Sequence, residues 1–425
     1  MARTFAAFIL VLALGVAGCQ ASSESTPTPV PPTPSASARG PITFAAPGDP
    51  TGTLAADIRA WNALNPAEPV TLRELSQSAD ARRTDLRTRA DNGDGAYTVM
   101  AVDVAFVPEL AKAGAFAPLA SSDFPTDGLL AASVAAGSVD GQQYAYPYTA
   151  DAGLLYYRKD LLDAAHLTPP TTWTGLAQEC AALAATHPQG CYAAPYAPGE
   201  TLTVSVLEAV QGAGGAAFTF AGMPQFGAYP ASAGVSWMFD GLRTGRTSAA
   251  ALTLDDDLAR RAFERGDAVF MRGWGTAWPL IGTGAGAVID RTQVGVADLP
   301  GASGVAASVL GGFDLAICAN GGNLDTARDF VRFLTSAPRQ LGRFTATGAG
   351  PTIDALYSDP VLTNATGPVL SAAIGRARPR PAVADYAALS TAVSDAMTRI
   401  LQGADQPSQA LAALQGKLVK VVAER

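Results

Sequence analysis

The chain has 425 residues, with 29 Lys and Arg against 37 Asp and Glu for a net charge of -8, and 48% hydrophobic residues at a mean hydropathy of +0.16. That length exceeds one hydrophobic core and suits two lobes, and the negative balance argues against nucleic acid or an anionic lipid surface as the ligand. The two histidines, His166 and His187, stand apart in Pro-flanked, loop-like contexts; they build neither a metal cluster nor a His-based catalytic set, so no metal and no cofactor are expected.

Arg3 is followed by an apolar run from Phe5 to Val16, then Ala17, Gly18 and Cys19. The run is shorter than the roughly 20 residues needed to cross a ~30 Å hydrocarbon core, so residues 1–18 read as a secretory signal peptide. Val16-Ala17-Gly18-Cys19 resembles the lipobox of bacterial lipoproteins. That likeness implies that Cys19 is lipidated, becomes the first residue of the mature chain and holds it to the outer face of a membrane. Residues 19–40 contain almost no large apolar side chain and read as a Pro/Ser/Thr tether.

The body opens with the strand PITFAAP, then a helix with Leu54, Ile58 and Trp61 on one face that stops at Asn65-Pro66. A strand VTLREL, an Arg/Asp-rich helix and the buried strand YTVMAVDVAFV follow, the last ending at Asp103. This β-α-β-α-β order predicts a parallel sheet with helices on both faces. Ligands of such sheets bind beyond the carboxyl ends of the strands, where Asp49 and Asp103 fall. The segment GQQYAYPYTADAGLLYYRKDLLDAA predicts a strand, a Pro/Thr/Asp crossover that serves as a hinge, an aromatic strand and a helix. Helices at WTGLAQECAALAATH and ETLTVSVLEAVQGAGG come next, then a helix and strand in DDLARRAFERGDAVFMRGWGTAW. A strand SVLGGFDLAICANG, a helix DTARDFVRFLTS and a helical tail from Asp385 complete the chain. In an oxidising exterior Cys180 and Cys191 can close a local loop, whereas Cys318 reads as a buried strand residue.

Taken in order, YTVMAVDVAFVPELAKAGAFAPL, YAYPYTADAGLLYYRKDLL, RRAFERGDAVFMRGWGTAWP, VLGGFDLAI and TGAGPTIDALYSDP resemble the family 1 extracellular solute-binding proteins of ABC importers, and among them the maltose and trehalose binding branch. The resemblance covers nearly the whole mature chain. It implies an α/β, two-lobed venus-flytrap fold, with lobe 1 at 41–148 plus 307–348 and lobe 2 at 149–306 plus 349–425. It also implies a monomeric, non-enzymatic receptor that takes a disaccharide or small oligosaccharide between the lobes and passes it to permease subunits.

Site residues follow from the same motifs. Asp103 stands at the aspartate of the family's DVxW, with Phe106 where tryptophan is usual. Asp151 matches a polar position, Glu200 the glutamate of YEGL, and Trp274 the tryptophan of NWP. Gly311 and Gly312 match a glycine pair beside the ligand, and Arg380 a ligand-facing arginine. The chemistry agrees, because a sugar needs planar acceptors and donors beside aromatic platforms for its C–H faces. Each residue also has a structural alternative: Asp49 and Asp103 as helix caps, Asp151 as a brace of the hinge turn, Arg380 as a surface arginine, the glycine pair as a tight strand approach. Trp173 and Trp237 read as packing residues. A secreted glycosidase is the rival class, but no acid/base pair of carboxylates stands out. A receptor for a glycerophosphodiester or a peptide is the other alternative.

Overall fold

In the computed structural model, residues 39–184, 190–219, 222–363 and 366–423 are described. Residues 1–18, Cys19, the tether up to residue 38 and His187 lie outside them. The strands β1 (Ile42–Pro47), β2 (Val70–Leu75) and β3 (Val99–Asp103) are parallel neighbours in the order β2-β1-β3. Helices Thr53–Leu64 and Ala79–Asp91 form the crossovers. Ile42, Phe44 and Val99 pack on Trp61 and Phe330 on one side of the sheet, while Ala45, Met100 and Val102 pack on the other. Burial of both faces is what an apolar parallel strand requires. β3 ends at Asp103, as expected from its composition.

A short hairpin, β4 (Ser138–Val139) with β5 (Gln142–Gln143), precedes the longest strand, β6 (Ala145–Arg158). The expected break in β6 is absent. Its first part, to Ala152, pairs antiparallel with β10 (Leu310–Ile317). From Gly153 onward it pairs with β8 (Phe270–Trp274) on one side and with β9 (Val294–Asp298) on the other. Pro147 does not interrupt it, because the register against β10 shifts between Phe313 and Asp314, and a bulge tolerates the missing N–H. β7 (Tyr192–Ala193) joins β8, completing the order β2-β1-β3-β10-β6-β8-β7 with β9 alongside β6. Ala150 and Gly350 exchange backbone hydrogen bonds of 2.9 Å, so a further segment crosses β6 at its midpoint.

Helices Glu200–Gly212, Tyr229–Thr244, Tyr386–Leu401 and Pro407–Ala423 pack together through Val206, Val235, Val393 and Leu414. The same apolar cluster contains Leu86 and Phe106 from the first part of the chain. Cys180 and Cys191 are joined by a disulfide with a Cα separation of 5.5 Å, and Cys318 is a buried free thiol. Among the described residues no helix is long and apolar enough to cross a membrane.

One backbone position governs the meeting of β6 and β10. Gly312 has φ of 109°, and a Cβ there would stand 2.1 Å from the Thr149 carbonyl oxygen. Gly312→Ala is therefore expected to lower stability by about 2 kcal/mol or more, from the strained φ and the displaced strand. Gly342→Ala, which meets nothing within 4 Å, is the control and leaves stability unchanged or slightly raised. Thermal unfolding checks the pair; a Gly312→Ala melting curve overlying wild type would refute the account.

Candidate functional site

The carboxyl end of β3 presents Asp103, and the first turns of helix Ala79–Asp91 present Arg82 to it. Arg82 Nη2 donates to both carboxylate oxygens at 3.0 and 3.2 Å, and Nε donates to Oδ2 at 3.2 Å. Nη1 is held by the carbonyls of Ser76 and Gln77. Asp103 is thus not a helix cap but a carboxylate clamped in one orientation, still 16% exposed. The fork geometry of a guanidinium supplies that orientation.

Trp274, the last residue of β8, is half-buried. The Arg272 guanidinium lies 3.9 Å from its ring centre. Arg272 is itself fixed by Glu208, at 2.7 and 2.9 Å, and by Asp256 at 2.9 Å. Burial raises the Asp256 carboxyl, opposed by Arg272 and by a hydrogen bond from the Trp274 side chain. A Cβ on Gly311 would stand 2.7 Å from Cζ3 of the indole, so the missing side chain is what admits the ring. Gly311 and Gly312 lie opposite Asp151 and Ala150 in the ladder, Phe313 lies opposite Asp103, and the Gly312 carbonyl accepts from Val104 N–H. Asp103 and Trp274 therefore both border the first half of β10, one opposite Phe313 and the other over Gly311.

Arg380 reaches the same place. Its Nη2 donates to the Leu310 carbonyl at 3.2 Å, and its Nη1 donates to Glu200 Oε1 at 2.7 Å, a pair whose side chains are each 5% exposed. Glu200 also accepts from Tyr386 Oη and Ser390 Oγ. Its carboxyl is raised by burial, with Arg380 opposing that shift. The Arg380 side chain is thus buried rather than on the surface, and Glu200 is its orienting partner. Phe106 and Tyr386 face each other at 5.7 Å across this cluster.

Like Glu200, two further expected site residues do not present a free carboxylate. In Asp49, Oδ1 accepts from Thr51 N–H and Oγ1, and Oδ2 accepts from Leu54 N–H at 2.7 Å. It caps helix Thr53–Leu64, whose own N-cap is Gly52 and has no side chain to do so. Asp151 is buried, and Oδ1 accepts from Ala152 and Gly275 N–H groups at 2.8 Å each. It ties β6 to the turn that follows Trp274. Trp173 and Trp237 stack on each other at 5.1 Å, beside a cavity of about 40 Å³ that also touches Arg272 and Glu208. None of the eight expected binding residues lines that cavity.

Arg82, Arg272, Glu208, Asp256 and Tyr386 were not singled out from sequence. For Arg272 a signal exists: a charge inside the apolar strand FMRGW must find buried partners. Among the described residues no three His, Cys, Asp or Glu side chains gather as a metal site. The arrangement offers oriented hydrogen bonds and an aromatic surface.

Comparison with known proteins bears on what such an arrangement receives. Residues 47–340 match the family model of bacterial extracellular solute-binding proteins, a family of binding proteins rather than enzymes. A protein of Deinococcus radiodurans described as a probable ABC transporter-binding protein is 32% identical over 297 residues, covering 67% of this chain and 70% of its own. The maltose-bound MalE3 of T. maritima superposes with a TM-score of 0.83 at 28% identity, over 89% of this chain and 98% of that one. The GacH receptor of Streptomyces glaucescens, solved unliganded and with acarbose, has a TM-score of 0.83 at 22% identity, over 91% and 99%. The resemblance drawn from the ordered motifs is met by these matches, and the fold is the two-lobed α/β arrangement of such receptors.

Burial pushes the Asp151 carboxyl up to about 7, with the Gly275 and Ala152 N–H groups only partly offsetting it. A carboxyl raised above its unfolded value near 3.9 holds a proton in the folded state that the unfolded chain has lost. Its contribution therefore falls as pH rises from about 4 to 7 and stays low above that. Asp151→Asn keeps an acceptor for Gly275 and cannot ionise. Denaturant titrations are expected to show wild type losing on the order of a few kcal/mol relative to this variant between pH 4 and 8. Parallel pH profiles for the two proteins would rule the assignment out.

Proposed function

Because the chain belongs to the bacterial extracellular solute-binding proteins, we propose that it is the sugar receptor of an ABC importer, delivering a disaccharide or small oligosaccharide to the permease as a monomer. Lipidated Cys19 holds it to the outer face of the bacterial cell membrane, a reading supported by the run Val16 to Cys19 and the tether behind it. The first lobe is 41–148 with 307–348, and the second is 149–306 with 349–425. The exchange of partners along β6 after Ala152 and the Ala150–Gly350 pairing support a hinge from Tyr148 to Asp151, with return crossings near Ala306 and Gly348.

The observation that carries the reading is that three expected residues border one short stretch of β10: Arg380 donates to the Leu310 carbonyl, Trp274 covers Gly311, and Asp103 lies opposite Phe313. In this reading Asp103 accepts from a pair of sugar hydroxyls, Arg380 donates, and the indole lies against a C–H face. Glu200 orients Arg380. Each carboxylate in the cluster is already matched by an arginine, Asp103 by Arg82, Glu200 by Arg380, Glu208 and Asp256 by Arg272. The cluster is therefore near charge balance and suits a neutral polyol better than a phosphodiester.

Calorimetry of the full chain against maltose, trehalose and further neutral sugars tests this. At least one is expected to bind, with Asp103→Ala weakening it about 10- to 150-fold through loss of a charge-assisted hydrogen bond. Trp274→Ala is expected to cost as much or more, and Trp173→Ala to lower stability while leaving affinity intact. Wild-type affinity in the Asp103 and Trp274 variants would defeat the site. The anchor has its own check: Cys19→Ala is expected to release the protein or leave it unprocessed, and a variant that still floats with membranes at the mature size would defeat that part.

A further inference from the structure

Helix Glu200–Gly212 starts without a cap of its own. Its N-cap is Gly199, at φ of 109°, which offers no side-chain acceptor. The N–H of Glu200 instead donates to Asp80 Oδ2 at 3.0 Å, 120 positions back in the chain on helix Ala79–Asp91. A Cβ on Gly199 would stand 2.5 Å from that same oxygen, so the glycine is what lets the carboxylate approach. A negative group with an accepting oxygen is the best partner for the first N–H groups of a helix, since it satisfies an orphan donor and opposes the positive end of the helix dipole.

The two helices joined in this way each hold one arm of the site. Asp80 lies two residues from Arg82, which clamps Asp103. The capped helix opens with Glu200, which orients Arg380. Contact between the Phe106 and Tyr386 rings crosses at the same place, and Asp385 acts electrostatically on Arg87 and Glu109. By the lobe limits proposed above, Asp80, Arg82, Asp103 and Phe106 belong to the first lobe, and Glu200, Arg380 and Tyr386 to the second.

We propose that Asp80 is a positioning residue of the solute site: it supplies, from the opposite lobe, the missing cap of the helix that carries Glu200, so that Arg380 is fully seated only when the lobes meet. This rests on the receptor reading and extends it to the coupling of closure with recognition. With the lobes apart, water solvates the Glu200 N–H; with them together, Asp80 replaces that water and fixes the first turn. The cap therefore favours the closed form and slows release, without touching the solute.

The test combines small-angle scattering with stopped-flow release of maltose, or of whichever panel sugar binds, on the full chain. Removing a cap shifts an equilibrium by about 5- to 30-fold. Asp80→Ala is expected to speed release by that factor with little change in association, and to enlarge the radius of gyration at any given sugar occupancy. Asp80→Asn retains an accepting oxygen and is expected to restore most of both. Ser78→Ala is the structural control: Ser78 Oγ accepts from Ala81 N–H at the start of the same helix, so its loss lowers stability while leaving release unchanged. Unchanged release in Asp80→Ala, or equal acceleration in Ser78→Ala, overturns the proposal. If no sugar binds wild type, the receptor reading falls, and scattering of the unliganded proteins decides alone: a larger radius for Asp80→Ala upholds the cap, and identical radii sink it.

Discussion

One strand has to satisfy two ladders at once. β6 gives its first part to β10 and its second to β8 and β9, and the exchange is completed within a single residue step between Ala152 and Gly153. A backbone buried at this depth cannot leave hydrogen-bonding groups unmatched, so what surrounds the exchange is constrained by it. Ser308 Oγ accepts from Gly153 N–H and donates to Glu208; Asp151 accepts from Gly275; Gly350 pairs with Ala150. Tyr156 donates its hydroxyl to the Trp274 carbonyl, so the strand that spans both halves also fixes the residue that closes β8. The site proposed above thus borders a stretch of backbone whose hydrogen-bonding groups are matched on both sides.

The same burial bears on the electrostatics. Desolvating a guanidinium and a carboxylate together is expensive, and a buried pair such as Arg272 with Glu208 adds little to net stability. What it supplies is direction. Arg272 is held by two carboxylates and can only lie against Trp274; Arg82 is held by two carbonyls and can only present its fork to Asp103. In the site proposed above, groups prearranged in this way would lose little conformational freedom when a solute arrives, which lowers the ordering cost of binding.

Much of this was legible in the residues, and the exceptions have physical causes. β3 ending at Asp103, and Leu54, Ile58 and Trp61 on one helix face, follow directly from hydrophobic periodicity. The continuity of β6 was not legible, because Pro147 signals a break unless a bulge is already known to sit opposite it. Asp49 and Asp151 are aspartates beside turns, and such residues cap, brace or bind with the same local pattern; only the partners of their oxygens decide. Arg82 was hidden for a different reason. It stands in a helix rich in Arg and Asp, which reads as a solvated surface until the end of β3 is brought against it.

The contact between Trp274 and Gly311 makes two distant positions a single unit of inheritance. A side chain acquired first at 311 displaces the indole, and a smaller residue acquired first at 274 leaves a void over the glycine and frees Arg272 from its stacking surface. Neither first step is neutral, so a lineage changing the solute it accepts must pass through a damaged intermediate or alter the site elsewhere. If the site proposed above is the solute site, drift is therefore channelled away from Trp274 and Gly311 and toward the residues around them, where a change in preference can arise one mutation at a time.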